Sequence, residues 1–189
     1  EPKTEKNTCI NAPAIVAAIE LYERTKNPAY LQDAQRLMAW IGRLQDADGL
    51  FFDNQKLDGT IDRTKWSYNS ALMIRANLGF YRVTREERYK TEAIRIGRAS
   101  LSHWFKRGAL QDEGSFAHHL AEALLELAAV SGIAEFRDEA LGSIVTAANL
   151  TSPDGWYGLR WNRYEVRQGR QILLYQSSMA RALWVAATK

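Results

Sequence analysis

The sequence predicts an all-α protein built from helical hairpins, and three observations support this prediction. A phrase with the pattern of a helix end, a tight turn and a new helix occurs three times. Apolar residues recur at spacings of three and four, which is the period of an amphipathic helix. No segment shows the sustained alternation of apolar and polar residues that a half-buried strand would need.

The repeat describes an antiparallel helical hairpin written three times. The first copy starts at residues 21–25, and its matches recur 59 positions later in a second copy that starts at residues 80–84. The third copy starts at residues 127–131, which is 47 positions after the second. In each copy a Thr or Ser closes one helix and an aromatic residue opens the next.

The individual helices follow from their apolar stripes, taken in chain order. Each stripe shares one face of a helix: Ile10, Ala14, Ala17, Ala18 and Leu21; Leu31, Ala34, Leu37, Met38 and Ile41; Leu72, Met73, Ala76 and Phe80; Tyr89, Ala93, Ile96, Gly97, Leu101 and Trp104; Leu120, Leu124, Leu127 and Ala128; Phe136, Ala140, Leu141, Ile144 and Ala148; and Leu173, Met179, Leu183 and Trp184. These stripes predict hairpins at 8–45, 66–106 and 116–150, followed by a last helix at 171–188.

The connections between the predicted helices alternate in length. Short turns occur at residues 26–28, 85–87 and 132–134. Long loops occur at residues 46–65, 107–115 and 151–170. Each long loop joins the second helix of one hairpin to the first helix of the next, so all three loops emerge at the same end of the fold. Long loops in compact domains are usually functional. This arrangement indicates an α/α toroid or a solenoid.

Composition excludes several classes of function. The net charge is +3 with Lys and Arg dispersed, so we expect no nucleic-acid partner. The single Cys9 allows no internal disulfide, and no Cys/His group has the spacing of zinc ligands. No Gly-rich loop that could bind phosphate occurs. Neither a metal nor a cofactor is therefore predicted. No apolar run could span a bilayer, and the charged start does not resemble a signal peptide.

The first long loop is a candidate ligand site. Its acidic residues lie between turn-forming glycines and are Asp48, Asp53, Asp58 and Asp62. The next helix opens with Trp66, Tyr68 and Asn69. Carboxylates and amides hydrogen-bond vicinal sugar hydroxyls, and aromatic rings stack on the apolar faces of sugars. Each Asp taken alone is better explained as a turn or a helix cap, and only the loop as a whole favours a ligand site.

The other two long loops offer weaker candidates. Trp156 and Trp161 flank Arg160 in the third loop, which indicates either a sugar site or a lid packed on the rim. Asp112 and Glu113 in the second loop form an alternative catalytic pair, because a glycosidase needs two carboxylates roughly 5–10 Å apart. An acidic pair before an apolar helix also reads as an N-terminal cap.

Several segments together have the pattern of a known enzyme family, and they are residues 6–13, 21–31, 40–41, 48–53, 66–70, 154–156 and 176–178. They resemble glycoside hydrolase family 76, the endo-acting α-1,6-mannanases. One departure is Ala71, which stands where the family usually has Gly. The resemblance implies an (α/α)6 toroid whose active groove crosses one rim and whose chemistry rests on two consecutive Asp residues.

In that family the catalytic pair precedes the segment that resembles residues 6–13. The resemblance therefore implies a single α/α-toroid domain over residues 1–189, incomplete, with about seven of twelve helices and without the pair. Asp112 and Glu113 come too late in the order to inherit the catalytic role. We expect this chain alone to be inactive.

The resemblance implies that several residues of this chain contact the substrate. The implied substrate-binding residues are Asp53, Tyr68 and Asn69, followed by Asp48, Trp66, Asn11 and Trp156. The implied partner is a mannan-type oligo- or polysaccharide, and the implied location is secreted, periplasmic or at the cell surface. An incomplete toroid would expose helix faces meant for burial, which predicts self-association or pairing with an N-terminal half.

Two other classes of function remain open. One is a related α/α-toroid enzyme, such as an unsaturated glucuronyl hydrolase or a sugar epimerase, which would use Asp112, Glu113 or His118. Such an enzyme would act on oligosaccharides without any added half. The other is a non-enzymatic helical-repeat scaffold whose long loops bind a protein, and mannose oligomers would not displace that partner.

Overall fold

Helices dominate the part of the chain that the structure describes. The computed structural model describes residues 4–188, so residues 1–3 and 189 at the ends of the predicted domain lie outside it. The helices within this range are α1 (Thr8–Thr25), α2 (Pro28–Ile41), α3 (Ser67–Thr84), α4 (Glu87–Trp104), α5 (Gly114–Ser131), α6 (Ala134–Ala148) and α7 (Leu173–Thr188). Between residues 4 and 188, no helix combines the length and apolar character needed to cross a bilayer.

The chain divides into two compact units, Glu1–Ala99 and Ser100–Lys189. In the first unit α1 packs against both α2 and α3, and its buried face includes Ala12, Ile15 and Ile19. In the second unit α5 packs against both α6 and α7. Among the helices between residues 4 and 188 whose buried residues are known, α3 and α5 bury the most.

The backbone reproduces the sequence repeat at the tight turns. Lys26, Arg85 and Gly132 end their helices in the left-handed region, with φ of 56°, 61° and 73°. Each of these three residues donates its backbone N–H to the carbonyl four residues earlier. The hydroxyl groups that accept a backbone N–H from two residues further on belong to Thr25, Thr84 and Ser131. The offsets of 59 and 47 positions therefore hold for conformation as well as for sequence.

The long loops contain short strands, although no segment of the sequence shows sustained alternation of apolar and polar residues. Within residues 4–188 the strands are β1 (Glu5–Asn7), β2 (Phe52–Lys56), β3 (Ile61–Lys65), β4 (Phe105–Lys106) and β5 (Ala109–Leu110). The first three form an antiparallel sheet in the order β1-β2-β3, and β4 and β5 form a separate hairpin. Strands of two to five residues are too short to show a period of two in the sequence.

Four of the five residues in the first predicted apolar stripe are exposed, and only Ala18 is buried. On α1, Ile10 is 67% exposed and Leu21 is 43% exposed, and Ala14 and Ala17 between them are also exposed. These four residues, the α1 stripe, lie one or two helix turns apart on one face. An apolar helix face normally packs against a core. The α1 stripe therefore has the apolar composition of a buried helix face, although its side chains are exposed.

Candidate functional site

Asp53 lies at the centre of a polar cluster in the first unit. The amide nitrogen of Asn54 donates to Asp53 Oδ2 at 3.2 Å, and that of Asn69 lies 3.4 Å from Asp53 Oδ1. Asn54 is 5% exposed and Asn69 is fully buried, whereas Asp53 is partly exposed. Two buried amides thus fix both oxygens of a carboxylate that solvent can still reach.

Local structure explains how these side chains meet. Asp53 and Asn54 lie on β2, where a bulge between Phe52 and Asn54 interrupts the register with β3. A bulge changes the direction in which neighbouring side chains point. The hydroxyl of Thr8 at the start of α1 donates to the carbonyl of Phe52 at 2.7 Å. Asn69 lies in the first turn of α3, so two helix starts and one strand meet at the cluster.

Cys9 and Tyr68 join this cluster. The Cys9 thiol hydrogen-bonds the side chain of Tyr68 and lies within electrostatic reach of Asp53. Burial raises the pKa of Cys9, and the negative charge of Asp53 adds to the increase, although the Tyr68 bond opposes it. At neutral pH Cys9 is therefore a protonated thiol with no nucleophilic role. Sequence reasoning used Cys9 only to exclude a disulfide and missed this contact, although Cys9 lies within the resembling segment 6–13.

Asp48 serves the structure of its own loop. Lys65 Nζ lies 2.7 Å from Asp48 Oδ2 and 2.6 Å from Asp46 Oδ2, and the N–H of Leu50 donates to Asp48 Oδ1 at 3.0 Å. Only 15% of the Lys65 side chain is exposed. This three-residue ion-pair group links the start of the loop to the end of β3, which is the segment that leads into α3.

The ion-pair group predicts a pH dependence. The Lys65 hydrogen bond lowers the pKa of Asp46. Burial raises the pKa of Asp48, but the bonds from Lys65 and Leu50 outweigh it and lower that pKa as well. Both carboxylates therefore stabilise the fold above an unfolded pKa of about 3.9, and this stabilisation is lost as pH falls below that value. In Lys65→Met we expect a smaller loss of unfolding free energy between pH 7 and pH 3 than in wild type, measured by urea denaturation. An equal loss in both proteins would contradict the ion-pair account.

Gly49 allows Arg95 to approach the same loop. Its φ is +94°, and a Cβ at this position would lie 2.6 Å from Arg95 Nη1. Glu92 holds that guanidinium with two bonds of 2.7 Å. Gln45 donates to both Glu92 and the carbonyl of Gly49, at 2.7 and 3.0 Å. The turn is thus fixed from the α4 side by a charged network that leaves no room for a side chain.

Gly49→Ala should therefore destabilise the protein more than a turn glycine normally would. Positive φ costs an Ala about 1–2 kcal/mol, and displacement of Arg95 should raise the loss to about 3 kcal/mol. Gly59→Ala is a matched control, because Gly59 has φ of +90° with open space around it. Urea denaturation of both variants gives the comparison. Equal losses in the two variants would show that the approach of Arg95 contributes nothing.

Trp66 and Asn11 hold the starts of their helices. Trp66 occupies the position before α3, is partly buried, and accepts the N–H of Asn69 at its carbonyl at 3.2 Å. The Asn11 amide donates to the carbonyl of Asn7 at 2.7 Å within the first turn of α1. Both predicted residues thus frame the helix starts that meet at Asp53.

Trp156 lies in the second unit and is 45% exposed. Its backbone N–H bonds the hydroxyl of Ser152 at 3.0 Å, and its carbonyl accepts the N–H of Ser152 at 2.9 Å. Trp161 is only 3% exposed and packs beside Gly114. Trp161 is therefore not an exposed side chain on which a sugar could stack, and of the two alternatives a packed lid fits it better, because the third loop folds back onto the start of α5.

Asp112 and Glu113 lie at the start of α5. Asp112 Oδ1 accepts the N–H of Glu113 at 2.8 Å, and the carbonyl of Glu113 accepts the N–H groups of Phe116 and Ala117. These bonds are those of a helix N-terminus. The following His118 stacks beside His119 with ring centroids 3.9 Å apart, and burial lowers the pKa of His118. Among residues 4–188, no group of three or more His, Cys, Asp or Glu could hold a metal ion.

Comparisons with known proteins give a consistent result. Residues 1–187 match the family model of glycosyl hydrolase family 76. A family 76 α-mannanase from Bacteroides thetaiotaomicron is 29% identical, with a TM-score of 0.88 over 97% of this chain and 53% of that chain. A protein from Listeria innocua is also 29% identical, with a TM-score of 0.89 over 97% of this chain and 56% of that chain. No curated protein matches this chain.

A third solved structure is informative about chemistry. An inactive variant of the α-1,6-mannanase from Salegentibacter sp., with two consecutive Asp residues replaced by Asn, has been solved with α-1,6-mannotriose. It is 26% identical and has a TM-score of 0.86 over 98% of this chain and 60% of that chain. The present chain thus spans between about half and three-fifths of the structures that it matches.

Proposed function

Because the chain belongs to glycosyl hydrolase family 76, we propose that it forms part of an enzyme that hydrolyses α-1,6-linked mannan. Its share in that activity is to bind the sugar and hold it in position. One of the structures it resembles is an α-mannanase and another is an α-1,6-mannanase. An enzyme encounters a mannan polymer outside the cytoplasmic membrane, so we propose a secreted, periplasmic or cell-surface location.

The observation that carries this proposal is the fixed carboxylate of Asp53. Its oxygens accept from the amides of Asn54 and Asn69 while the residue stays partly open to solvent. A carboxylate oxygen has further lone pairs with which to accept sugar hydroxyls. Tyr68 bonds Cys9, which lies within electrostatic reach of Asp53, and Trp66 occupies the position before the same helix. A preorganised acceptor beside aromatic side chains is well suited to a polyhydroxylated ligand.

We propose that the bond-breaking residues lie outside this sequence. Loss of two consecutive Asp residues accompanies inactivity in the Salegentibacter enzyme, and residues 1–189 contain no two adjacent Asp. Glycoside hydrolysis needs paired carboxylates, whereas positioning of the sugar contributes the favourable geometry. Asp53, Asn69 and Tyr68 therefore hold mannose units against carboxylates that another part of the enzyme supplies.

Release of reducing sugar from linear α-1,6-mannan tests this division of roles. We expect no release by the 189-residue chain, and release by a longer protein that adds the remainder of a family 76 domain. Activity of the short chain would overturn the proposal. In that case Asp112→Asn and Glu113→Gln would show whether the adjacent acids at the start of α5 are responsible.

The exposed α1 stripe supports pairing with further helices. Ile10, Ala14, Ala17 and Leu21 are apolar and exposed, and the matched structures extend well beyond the length of this chain. Ala residues on such a face let another helix approach closely. We propose that the α1 stripe packs against the rest of the domain when it is present, and against a second copy of this chain when it is not.

A further inference from the structure

A pocket of about 400 Å³ lies between the second and third long loops of the second unit. The residues that line it are Lys106, Arg107, Ala109, Gln111, Thr146 and Asn162. None of them belongs to the proposed mannan site around Asp53. The pocket combines cations, amides and a hydroxyl, so it has the chemistry of a second binding site.

The walls of the pocket are held in place by their own hydrogen bonds. The Gln111 amide donates to the carbonyls of Ala109 and Lys106, at 2.8 and 3.2 Å. The Asn162 amide donates to Gln111 Oε1 at 2.7 Å, which joins the third loop to the second. Thr146 donates to the carbonyl of Gly142 at 2.9 Å. A ligand would therefore enter a site that is already formed.

The pocket is strongly cationic. Lys106 and Arg107 are exposed on the β4–β5 turn, and neither has an ion-pair partner in the described range 4–188. No carboxylate from the described residues lines the pocket to offset these two charges. Unpaired cations next to a concave surface concentrate anions there. An uncharged sugar would leave the positive charges of Lys106 and Arg107 without a negative partner.

One acceptor in the pocket wall also lacks a partner. Asn162 Oδ1 is buried and accepts no hydrogen bond from residues 4–188. A buried polar atom without a partner calls for an explanation, and a hydroxyl donor that enters after a small movement of the Asn162 side chain would supply one. The site thus provides cations for an anion and amide groups for hydroxyls.

We infer that this pocket binds a sugar that carries one anionic group, either a phosphate ester or a carboxylate. Lys106 and Arg107 bind the anion, since ammonium and guanidinium groups form strong charge-assisted bonds with phosphate and carboxylate oxygens. Gln111, Thr146 and Asn162 face the sugar hydroxyls. The inference does not depend on mannan hydrolysis, because the residues of this pocket are separate from those around Asp53.

Titration of the full chain with mannose 6-phosphate by isothermal calorimetry tests the inference. We expect saturable binding. Lys106→Gln and Arg107→Asn should each weaken it by about tenfold, because each removes one charge-assisted bond. Asn suits position 107 because Arg107 has φ of 54° and Asn tolerates the left-handed region. The matched control is Arg137→Gln, which removes an exposed Arg on α6 of the same unit. Thermal unfolding checks that each variant is folded.

Titrations with glucuronic acid and with uncharged mannose identify the anion that the pocket prefers. Binding of mannose 6-phosphate but not glucuronic acid assigns a phosphate ester, and the reverse assigns a carboxylate. Either result supports the inference if uncharged mannose binds at least tenfold more weakly. Absence of saturable binding by both anionic sugars would overturn it. Equal weakening by Arg137→Gln would overturn it too, because the effect would then be one of overall charge.

Discussion

Asp53→Ala should weaken the binding of α-1,6-mannotriose by about 10- to 100-fold. A hydrogen bond to a charged group contributes about 1.5–3 kcal/mol, which corresponds to this range for one or more sugar hydroxyls. The substitution also removes the acceptor that orients the buried amides of Asn54 and Asn69. Isothermal calorimetry on the 189-residue chain measures the affinity directly, and thermal unfolding shows whether the variant is folded.

Asp58→Ala is the matched control for this prediction. Asp58 lies in the turn between β2 and β3, where its carboxylate accepts the N–H of Thr60 at 2.9 Å. We expect its loss to leave the affinity for mannotriose unchanged. Asp53→Asn keeps the shape of the side chain and should lose most of the binding, since the charge is absent. Wild-type affinity in Asp53→Ala, or an equal loss in Asp58→Ala, would remove Asp53 from the site.

The isolated chain should self-associate through the α1 stripe, and Ile10→Glu should return it to a monomer. Ile10 is 67% exposed at one end of the stripe and Leu21 is 43% exposed at the other. Exposed apolar patches of more than a few hundred Å² are rare on monomers and mark interaction surfaces. A carboxylate buried in such an interface without a partner would cost several kcal/mol. Light scattering over a concentration series measures the mass.

Val145→Glu is the control for association. Val145 is 59% exposed on α6, so the change in charge and in apolar exposure is similar. We expect Val145→Glu to associate like wild type. A wild-type chain that stays monomeric at high concentration would contradict the prediction. Dissociation by Val145→Glu as effective as that by Ile10→Glu would show that net charge, and not the α1 stripe, controls association.

The helical fold class was predictable because the signal for it is local and repeated. The apolar period and the turn residues at Thr25, Thr84 and Ser131 follow from short-range geometry, and the structure shows the same bonds at each turn. Similarity to family 76 structures confirms the prediction of a toroid of hairpins, and coverage of 53–60% of those chains is consistent with an incomplete one.

Other features depend on tertiary contacts that no local pattern encodes. The strands of the first long loop pair through backbone groups, and their register with a bulge at Phe52 is set by how the loop closes. That closure directs Asp48 to Lys65 and Asp53 to Asn69, although the sequence presents both Asp residues in similar contexts. The direction in which the α1 stripe faces likewise depends on which helices are present to cover it.

Part of the site was visible in the sequence and part was not. The residue types of the first long loop and the family resemblance predict Asp53 and Asn69 as sugar-binding residues, and the structure brings them together. Neither signal predicts Asn54 or Cys9, because an amide next to an acid and a lone cysteine carry no spacing signal of their own. Their contribution depends on a meeting of α1 with β2 and α3, which is a property of packing.

A nuclear magnetic resonance titration of the chain with α-1,6-mannotriose tests the central claim most directly. The side-chain amides of Asn54 and Asn69 give separate signals and contact Asp53 through both of its oxygens. We predict that both signals shift in a saturable way, and that Asp53→Ala abolishes the shifts. Signals that stay unmoved at saturating mannotriose, or shifts that persist in Asp53→Ala, would contradict a sugar site at this carboxylate.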